Sequence, residues 1–429
     1  MMLGRFICGI LSLLVPLLAL RAGDGLRADQ EPDRLFREGK FSEAEALYSQ
    51  IQARDPSNFQ AALRLGTISL LKNRLGDAKT WLDKALKRKP DDQEAKKLLA
   101  QVFYRMDDFA RAAPLFRTLG AERVAKKLES FAARVPYQIE AQGSVTEVPF
   151  IYTDPLPLIE VTLNGDKKAI FIIDTGGSEI YLDPEVAREL KAVQFGSTIG
   201  VYGGGLQANT GHGRIDSIRL GDFVVRNVPV LILSTKRFAP VAHGKSVDGI
   251  LGTTMLSHFL ATLDYPRGKL ILHQKSIDQL QKFEQEAKDQ KAAVIPFWMA
   301  GDHFMVAWGQ VNKSKPMLLF VDTGLAGGGF LCPPSTLKDA AIALPGGPAF
   351  EGVGGGGKMK IVPYTVDELS LGNVKGRKIR AFHGAFPEPI EYAQGFRIGG
   401  IISHQFFRPY ALTLDFSEMR LFLKSEPND

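Results

Sequence analysis

The sequence contains little cysteine: its 429 residues include only Cys8 and Cys332. Cys8 lies in an N-terminal segment that we expect to be removed, so the remaining chain holds one thiol and cannot form an intrachain disulfide. Cys332 is followed by two prolines, and the sequence identifies no histidine partner for it. A disulfide scaffold and a cysteine nucleophile are therefore both disfavoured.

The chain also lacks a concentration of charge of one sign. Its formal net charge of +6 is spread along the whole length, without a long block of lysine and arginine. Solvated surface explains such a charge better than nucleic-acid binding does. The seven histidines show no close metal-ligand spacing, so the sequence predicts no metal site.

No apolar run is long enough for a comfortable membrane span. Residues 6–20 are apolar but are interrupted by Pro16, which fits the hydrophobic region of a secretory signal over residues 1–28. We expect cleavage between Ala22 and Ala28, and export to the periplasm or the medium. An uncleaved short anchor is the alternative.

Residues 30–134 predict a helical repeat domain. Positions of fixed character recur every 34 residues: Phe41, Leu75 and Phe109; Ala44, Ala78 and Ala112; Tyr48, Leu82 and Phe116; Pro56 and Pro90. This period, with small residues between larger apolar ones, resembles the tetratricopeptide repeat, whose stacked helix pairs form a groove for a protein partner. A helical bundle with accidental periodicity is the alternative.

Strands are predicted beyond the repeats. Helical spacing stops near Arg134, and four prolines interrupt residues 135–157. Asn164-Gly165 between two apolar runs predicts a β-hairpin, and its second strand ends at Asp174.

The strand-rich part repeats itself. An apolar run ends in Asp-Thr-Gly at residues 174–176 and again 148 positions later at residues 322–324. Residues 249–252 and 263–272 recur 151 positions later. Two near-equal offsets predict duplicated lobes, over residues 135–275 and 293–429, joined by a polar helical linker over residues 276–292.

The duplicated loops predict one composite site. Asp174 and Asp322 should face each other across a pseudo-twofold axis and share a water. Gly176 and Gly177 should permit a positive φ and a close approach of backbone. Repulsion makes it unfavourable for two neighbouring carboxylates to be ionised together, so one keeps a proton while the other acts as a general base. This chemistry requires no covalent intermediate, no metal and no other cofactor.

These motifs resemble the paired active-site loops of aspartic peptidases. Each Asp-Thr-Gly is followed at a similar distance by Gly-Ile-Leu-Gly or its counterpart, and the match is closest to the bacterial retropepsin-like proteins, in a fused two-lobed form. The resemblance covers residues 158–423. It implies an all-β, bilobal acid-protease fold after the repeats, and an endopeptidase acting on peptide or protein substrates.

The resemblance also assigns roles to individual residues. Asp174 and Asp322 become the catalytic pair, whose titration belongs to both residues together. Thr175 and Thr323 brace the two loops against each other. Gly176 and Gly324 let backbone amides approach the carboxylates.

A glycine-rich hairpin that closes over the substrate is a further implication. The candidate consists of Tyr202, Gly203, Gly204 and Gly205, and its counterpart is residues 352–357. Flexible hairpin tips without a substrate role are the alternative, because glycine serves many loops for backbone reasons alone.

The second Asp loop departs from the family pattern. Leu325 and Ala326 replace small or hydroxylated residues, and Ser403 replaces a glycine. The expected consequences are a narrowed cleft, an altered pKa of the pair, or a lobe that binds without cutting. Two alternatives to an exported endopeptidase therefore stay open: a non-catalytic peptide-binding module, and a periplasmic scaffold built on the repeats.

Overall fold

The computed structural model describes residues 6–7, 31–344 and 348–425. A helical part precedes a β-rich part with two barrel-like sheets, which confirms the predicted fold class. The segment predicted as a signal lies outside the described residues, except for Phe6–Ile7 (β1), which pairs with residues 352–353.

The helices have the following bounds: α1 Glu31–Arg37, α2 Phe41–Arg54, α3 Phe59–Leu71, α4 Leu75–Arg88, α5 Gln93–Arg105, α6 Phe109–Thr118, α7 Glu122–Glu129, α8 Pro184–Glu189, α9 Thr253–Leu256, α10 Ile277–Asp289, α11 Pro334–Asp339 and α12 His404–Phe407.

The strands after β1 have the following bounds: β2 Gln138–Glu140, β3 Val145–Tyr152, β4 Leu158–Leu163, β5 Lys167–Ile173, β6 Ile180–Leu182, β7 Val193–Val201, β8 Gln207–Leu220, β9 Phe223–Ile232, β10 Gly249–Leu251, β11 Phe259–Asp264, β12 Lys269–Gln274, β13 Ala293–Pro296, β14 Trp298–Ala300, β15 Phe304–Val311, β16 Met317–Val321, β17 Phe330–Leu331, β18 Phe350–Gly354, β19 Gly357–Leu371, β20 Val374–His383, β21 Ile398–Ile402, β22 Tyr410–Asp415 and β23 Arg420–Ser425.

The 34-residue period appears in the structure as equivalent helix starts and equivalent buried alanines. The Asn58 side chain accepts the backbone N–H of Ala61 at 2.9 Å, and 34 residues later Asp92 accepts the N–H of Ala95 at 2.8 Å. These caps satisfy donors that the first turn of a helix leaves free. The repeated small residues are fully buried between helices: Ala44, Ala78 and Ala112.

Each half of the β-rich part forms a closed barrel with the same strand order. The first runs β4-β5-β10-β6-β9-β8 and closes by pairing β8 with β4. The second runs β15-β16-β21-β17-β20-β19 and closes by pairing β19 with β15. In both barrels the strand that ends at an Asp loop pairs in parallel with a later strand, β5 with β10 and β16 with β21.

The two barrels share an antiparallel sheet in the order β13-β23-β22-β11-β12-β3. At its centre β11 pairs with β22, and Thr262 lies opposite Thr413. These two residues are equivalent in the duplication, 151 positions apart, and their hydroxyls are 2.7 Å from each other. A residue that meets its own counterpart lies on the symmetry axis, so this pair marks the pseudo-twofold.

The helical part packs directly on the second barrel. The Phe41 ring lies 5.4 Å from the Trp298 ring and 4.9 Å from the Phe396 ring, both in edge-to-face geometry. Asn73 Nδ2 donates to the Phe416 carbonyl at 2.9 Å. One buried cluster therefore contains side chains from both parts.

The polar segment between the lobes contains α10. Ser276 caps it by accepting the N–H of Gln279 at 3.2 Å, and the Phe283 ring packs edge-to-face on Phe422 at 5.2 Å. Throughout the described ranges, the helices are too short or too polar to traverse a bilayer.

Candidate active site

Asp174 and Asp322 occupy equivalent positions at the ends of buried strands. The Asp174 backbone N–H donates to the Leu251 carbonyl at 3.1 Å, and the Asp322 N–H donates to the Ile402 carbonyl at 3.0 Å. Each loop is thus tied to the parallel strand beside it. The carboxylates are buried, with 2% and 3% of their residues' surfaces exposed.

The two loops are joined by reciprocal hydrogen bonds through their threonines. The Thr175 N–H donates to Thr323 Oγ1 at 3.1 Å, and the Thr323 N–H donates to Thr175 Oγ1 at 3.0 Å. Each hydroxyl then donates across the axis, to the Val321 carbonyl at 3.0 Å and to the Ile173 carbonyl at 3.3 Å. Neither loop can shift without breaking bonds to the other.

The glycines of the two loops bring the carboxylates together. The Gly176 N–H donates to Asp174 Oδ1 at 2.8 Å, and the Gly324 N–H donates to Asp322 Oδ1 at 2.7 Å. A Cβ built on Gly176 would lie 2.5 Å from Asp322 Oδ2, and one built on Gly324 would overlap the Asp174 carboxylate. Each glycine therefore lies against the carboxylate of the opposite loop.

The expected positive φ at Gly176 and Gly177 is wrong, since neither belongs to the glycines of positive φ. The backbone takes a conformation open to other residues, so the conformation does not require glycine. At Gly176 the requirement is space, because any side chain would collide with Asp322.

Burial and mutual repulsion alter the titration of the pair. Burial first, and then the negative charge of Asp174, raise the pKa of Asp322 well above its usual range. Hydrogen bonds from the backbone of Gly324 and Gly176 oppose this rise by favouring the ionised form. The pair therefore retains one proton at pH values where separate aspartates would have none.

Two departures from the family pattern, Leu325 in the second loop and Ser403 after β21, contact each other. Leu325 is buried in the cluster that also contains Leu331 and Phe382, so its side chain belongs to the core of the second lobe. Its N–H donates to Ser403 Oγ at 3.1 Å. The sequence identified Ser403 only as a replacement for glycine, and its role in supporting this loop was missed because the bond spans 78 positions.

The two glycine-rich hairpins contact each other. Strands β7 and β8 are joined through a turn at Gly203–Gly205, and β18 is joined to β19. The Gly204 N–H donates to the Ala385 carbonyl at 2.8 Å, and Arg237 Nη1 donates to the Gly355 carbonyl at 3.0 Å. The first hairpin is therefore tied to the second lobe, and the second hairpin to the first lobe.

Tyr202 lies beneath the tips of both hairpins. It is fully buried, its hydroxyl is hydrogen-bonded to Thr210, and a Cβ on Gly355 would lie 2.5 Å from its ring. Burial raises its pKa to about 12. Tyr202 shares its buried cluster with Ala326, which lies four residues after Asp322, so the first hairpin packs close to the second Asp loop.

The sequence disfavours Cys332 as a nucleophile, and the structure shows what surrounds its thiol. The thiol is buried, 3.2 Å from the Tyr364 hydroxyl, and burial raises its pKa to about 12. A thiol in this environment stays protonated and unreactive.

Comparison with known families recognises two segments of the chain. Residues 35–102 match the tetratricopeptide repeat model, and residues 159–255 match an aspartyl protease model. Comparison with curated proteins found no match. The family matches confirm that the helical part resembles tetratricopeptide repeats and that the first lobe resembles retropepsin-like aspartyl proteases. The second lobe lies beyond the matched residues, and its relation to the first rests on the shared strand order.

Proposed function

We propose that this chain is an exported aspartic-type endopeptidase in which Asp174 and Asp322 activate one water molecule. One observation carries the proposal: two buried carboxylates from duplicated loops lie against each other, and burial together with their mutual repulsion raises the pKa of Asp322. Binding alone does not require this arrangement, whereas acid–base hydrolysis does. Export is inferred from the apolar N-terminal segment.

The ionised carboxylate takes a proton from water, and the water oxygen bonds to the peptide carbonyl carbon. The protonated carboxyl donates its proton to the carbonyl oxygen, which gives a neutral tetrahedral intermediate. The intermediate then expels the amine as the C–N bond breaks. The amine takes a proton from one carboxyl, and the other carboxylate receives the proton that the collapsing hydroxyl releases.

The surrounding loop residues hold the pair in place for this reaction. Thr175 and Thr323 join the loops, while the Gly176 and Gly324 amides fix one oxygen of each carboxylate. Such preorganised donors need not reorient as charge develops, which lowers the barrier.

The paired hairpins are proposed to cover an extended peptide. Gly203, Gly204 and Gly205 present backbone without side chains, and Tyr202 supports them from below. Because the hairpins contact the opposite lobes, a peptide must separate them to enter. The repeats are proposed to hold a protein partner or to present the substrate, as stacked helix pairs do in other repeat proteins.

Cleavage of a diverse peptide library at acidic and neutral pH tests the proposal. We expect cleavage by the wild type, and its loss below detection in both Asp174→Asn and Asp322→Asn. Asp166→Asn is the matched control, because Asp166 is exposed in a hairpin turn. A statine peptide should inhibit cleavage.

Tight peptide binding without cleavage by the wild type would contradict the enzyme and favour a non-catalytic binding module. The observation that favours this second candidate is the replacement of small or hydroxylated residues by Leu325 and Ala326 in the second loop.

A further inference from the structure

A buried carboxylate follows the first catalytic loop, and its hydrogen-bond partners come from the helical part. Glu179 lies five residues after Asp174 and immediately before β6. Lys127 Nζ, on α7, donates to both of its carboxylate oxygens, at 2.6 and 2.7 Å. The Tyr104 hydroxyl, on α5, donates to one of them at 2.5 Å.

This ion pair is shielded from water. The Lys127 side chain is 1% exposed and that of Glu179 is 6% exposed. A buried pair of this kind holds its geometry closely, because displacing either charge leaves the other without a partner in a medium of low dielectric. Surface ion pairs, such as that of Lys126 with Glu122 at 3.7 Å, lack this constraint.

The backbone between Asp174 and Glu179 is bonded to and packed against the segment that begins α9. The Thr253 N–H donates to the Gly177 carbonyl at 2.9 Å, and the Thr253 hydroxyl donates to the Thr175 carbonyl at 2.8 Å. A Cβ on Gly252 would overlap the Glu179 carbonyl oxygen. Glu179 and the loop that holds Asp174 thus pack against the same segment, Gly252 and Thr253, through which a displaced Glu179 would shift the loop.

The duplication provides no counterpart in the second lobe. Glu179 lies five residues after Asp174, and the residue five positions after Asp322 is Gly327. Glu179 also lies one residue before β6, and the residue one position before β17 is Gly329. Glycine cannot form an ion pair in either register. The attachment to the helical part is thus an addition to one catalytic loop, not a requirement of the barrel.

We infer that the Lys127–Glu179–Tyr104 clamp makes the helical part a positioning element for Asp174. Glu179 is a positioning residue: it is buried against Lys127 and Tyr104, and it acts on Asp174 through the loop. The consequence for turnover rests on the proposed function, whereas the effect on the loop does not. The repeats are then part of the peptidase and not a tethered accessory.

The test compares full-length variants. Lys127→Met removes the ion pair of the clamp and leaves the Tyr104 hydrogen bond, whereas Lys127→Arg preserves the positive charge. The double variant Lys127→Met/Glu179→Gln removes the ion pair without leaving a buried charge, so its stability should exceed that of Lys127→Met alone. Lys126→Met, one residue away on the exposed face, is the matched control.

Two readouts are measured: kcat and KM on a cleaved peptide, and amide exchange of the peptide covering residues 171–181. We expect the double variant to lose kcat by tenfold or more with KM within twofold, and its loop amides to exchange at least fivefold faster. Lys127→Arg should restore most of both, and the control should match the wild type.

A double variant that folds with wild-type kcat and wild-type loop exchange would overturn the inference. Should the wild type cleave no peptide, the proposed function fails, but the exchange measurement still decides whether the clamp positions the loop. Faster exchange in the double variant supports the inference in that case, and unchanged exchange contradicts it.

Discussion

The two Asp-Thr-Gly loops require glycine because they contact each other. Gly176 and Gly324 lie where any Cβ would meet the opposite carboxylate, although neither has a positive φ. The sequence predicted a close approach at these glycines, but not that the carboxylate of the opposite loop fills the space where a side chain would lie. The reason depends on a residue 148 positions away that no local pattern reveals.

Gly324→Ala tests this reason. The added methyl would overlap the Asp174 carboxylate, so we expect the loops to separate and peptide cleavage to fall by about a hundredfold or more. Gly76→Ala is the control, because Gly76 lies in α4 with no atom near its Cβ position. It should stabilise the fold by about 0.5–1 kcal/mol without affecting cleavage. Cleavage by Gly324→Ala at the wild-type rate would rule out the steric argument.

The raised pKa of Asp322 predicts how stability depends on pH. The folded protein keeps a proton that the unfolded chain releases above about pH 4, so stability falls as the pH rises from there through the folded-state pKa. Asp322→Asn removes this penalty and retains the bond from the Gly324 amide.

Thermal unfolding of wild type and Asp322→Asn at pH 4 and pH 7 measures this effect. The stability gained by the variant should be larger at pH 7, by about 1.4 kcal/mol for each pH unit above 4 over which the folded protein keeps this proton. Asp166→Asn, in an exposed turn, should show no such trend. A gain that is equal at both pH values would contradict the prediction.

At the scale of elements, local patterns predicted hairpins and helices, but not how strands from distant segments pair. Asn164 and Gly165 have positive φ values of 45° and 100°, as the Asn-Gly pair predicts. The Asn164 side chain also accepts the N–H groups of Asp216 and Ser217, both at 3.0 Å. The contact of Asn164 with residues 216–217 joins distant segments, as does the parallel pairing of β5 with β10. No pattern in the sequence indicates that these segments meet.

Arg237→Ala should loosen the second glycine-rich hairpin. It removes the 3.0 Å bond from the first lobe to the Gly355 carbonyl, a loss of about 1 kcal/mol. Amides of residues 353–358 should therefore exchange about fivefold faster. Arg188→Ala, at the exposed end of α8, is the control. Unchanged exchange in Arg237→Ala would mean that other contacts hold the hairpin.

At the scale of the molecule, a duplicated β-fold is made asymmetric by its helical neighbour. Thr262 and Thr413 mark the pseudo-twofold, and the offsets in the sequence were sufficient to predict two lobes. The packing of the repeats on those lobes could not be predicted. Its contacts, such as Lys127 with Glu179, pair residues 52 positions apart outside any periodic pattern.

This packing predicts that the helical part and the second lobe unfold together. Phe41 is 1% exposed between Trp298 and Phe396, so Phe41→Ala leaves a cavity at their shared core and should cost about 3–5 kcal/mol. Far-ultraviolet circular dichroism reports helix loss, and tryptophan fluorescence reports in part on Trp298. Both transitions should shift to lower temperature by the same amount.

Ile277→Ala provides the control for that shift, because Ile277 is 76% exposed at the start of α10. It should change stability by less than about 0.5 kcal/mol. A Phe41→Ala protein in which only the circular-dichroism transition moves would mean that the repeats unfold independently. The aromatic contacts between the repeats and the second lobe would then contribute nothing to the stability of that lobe. The second lobe would stay folded after the repeats unfold.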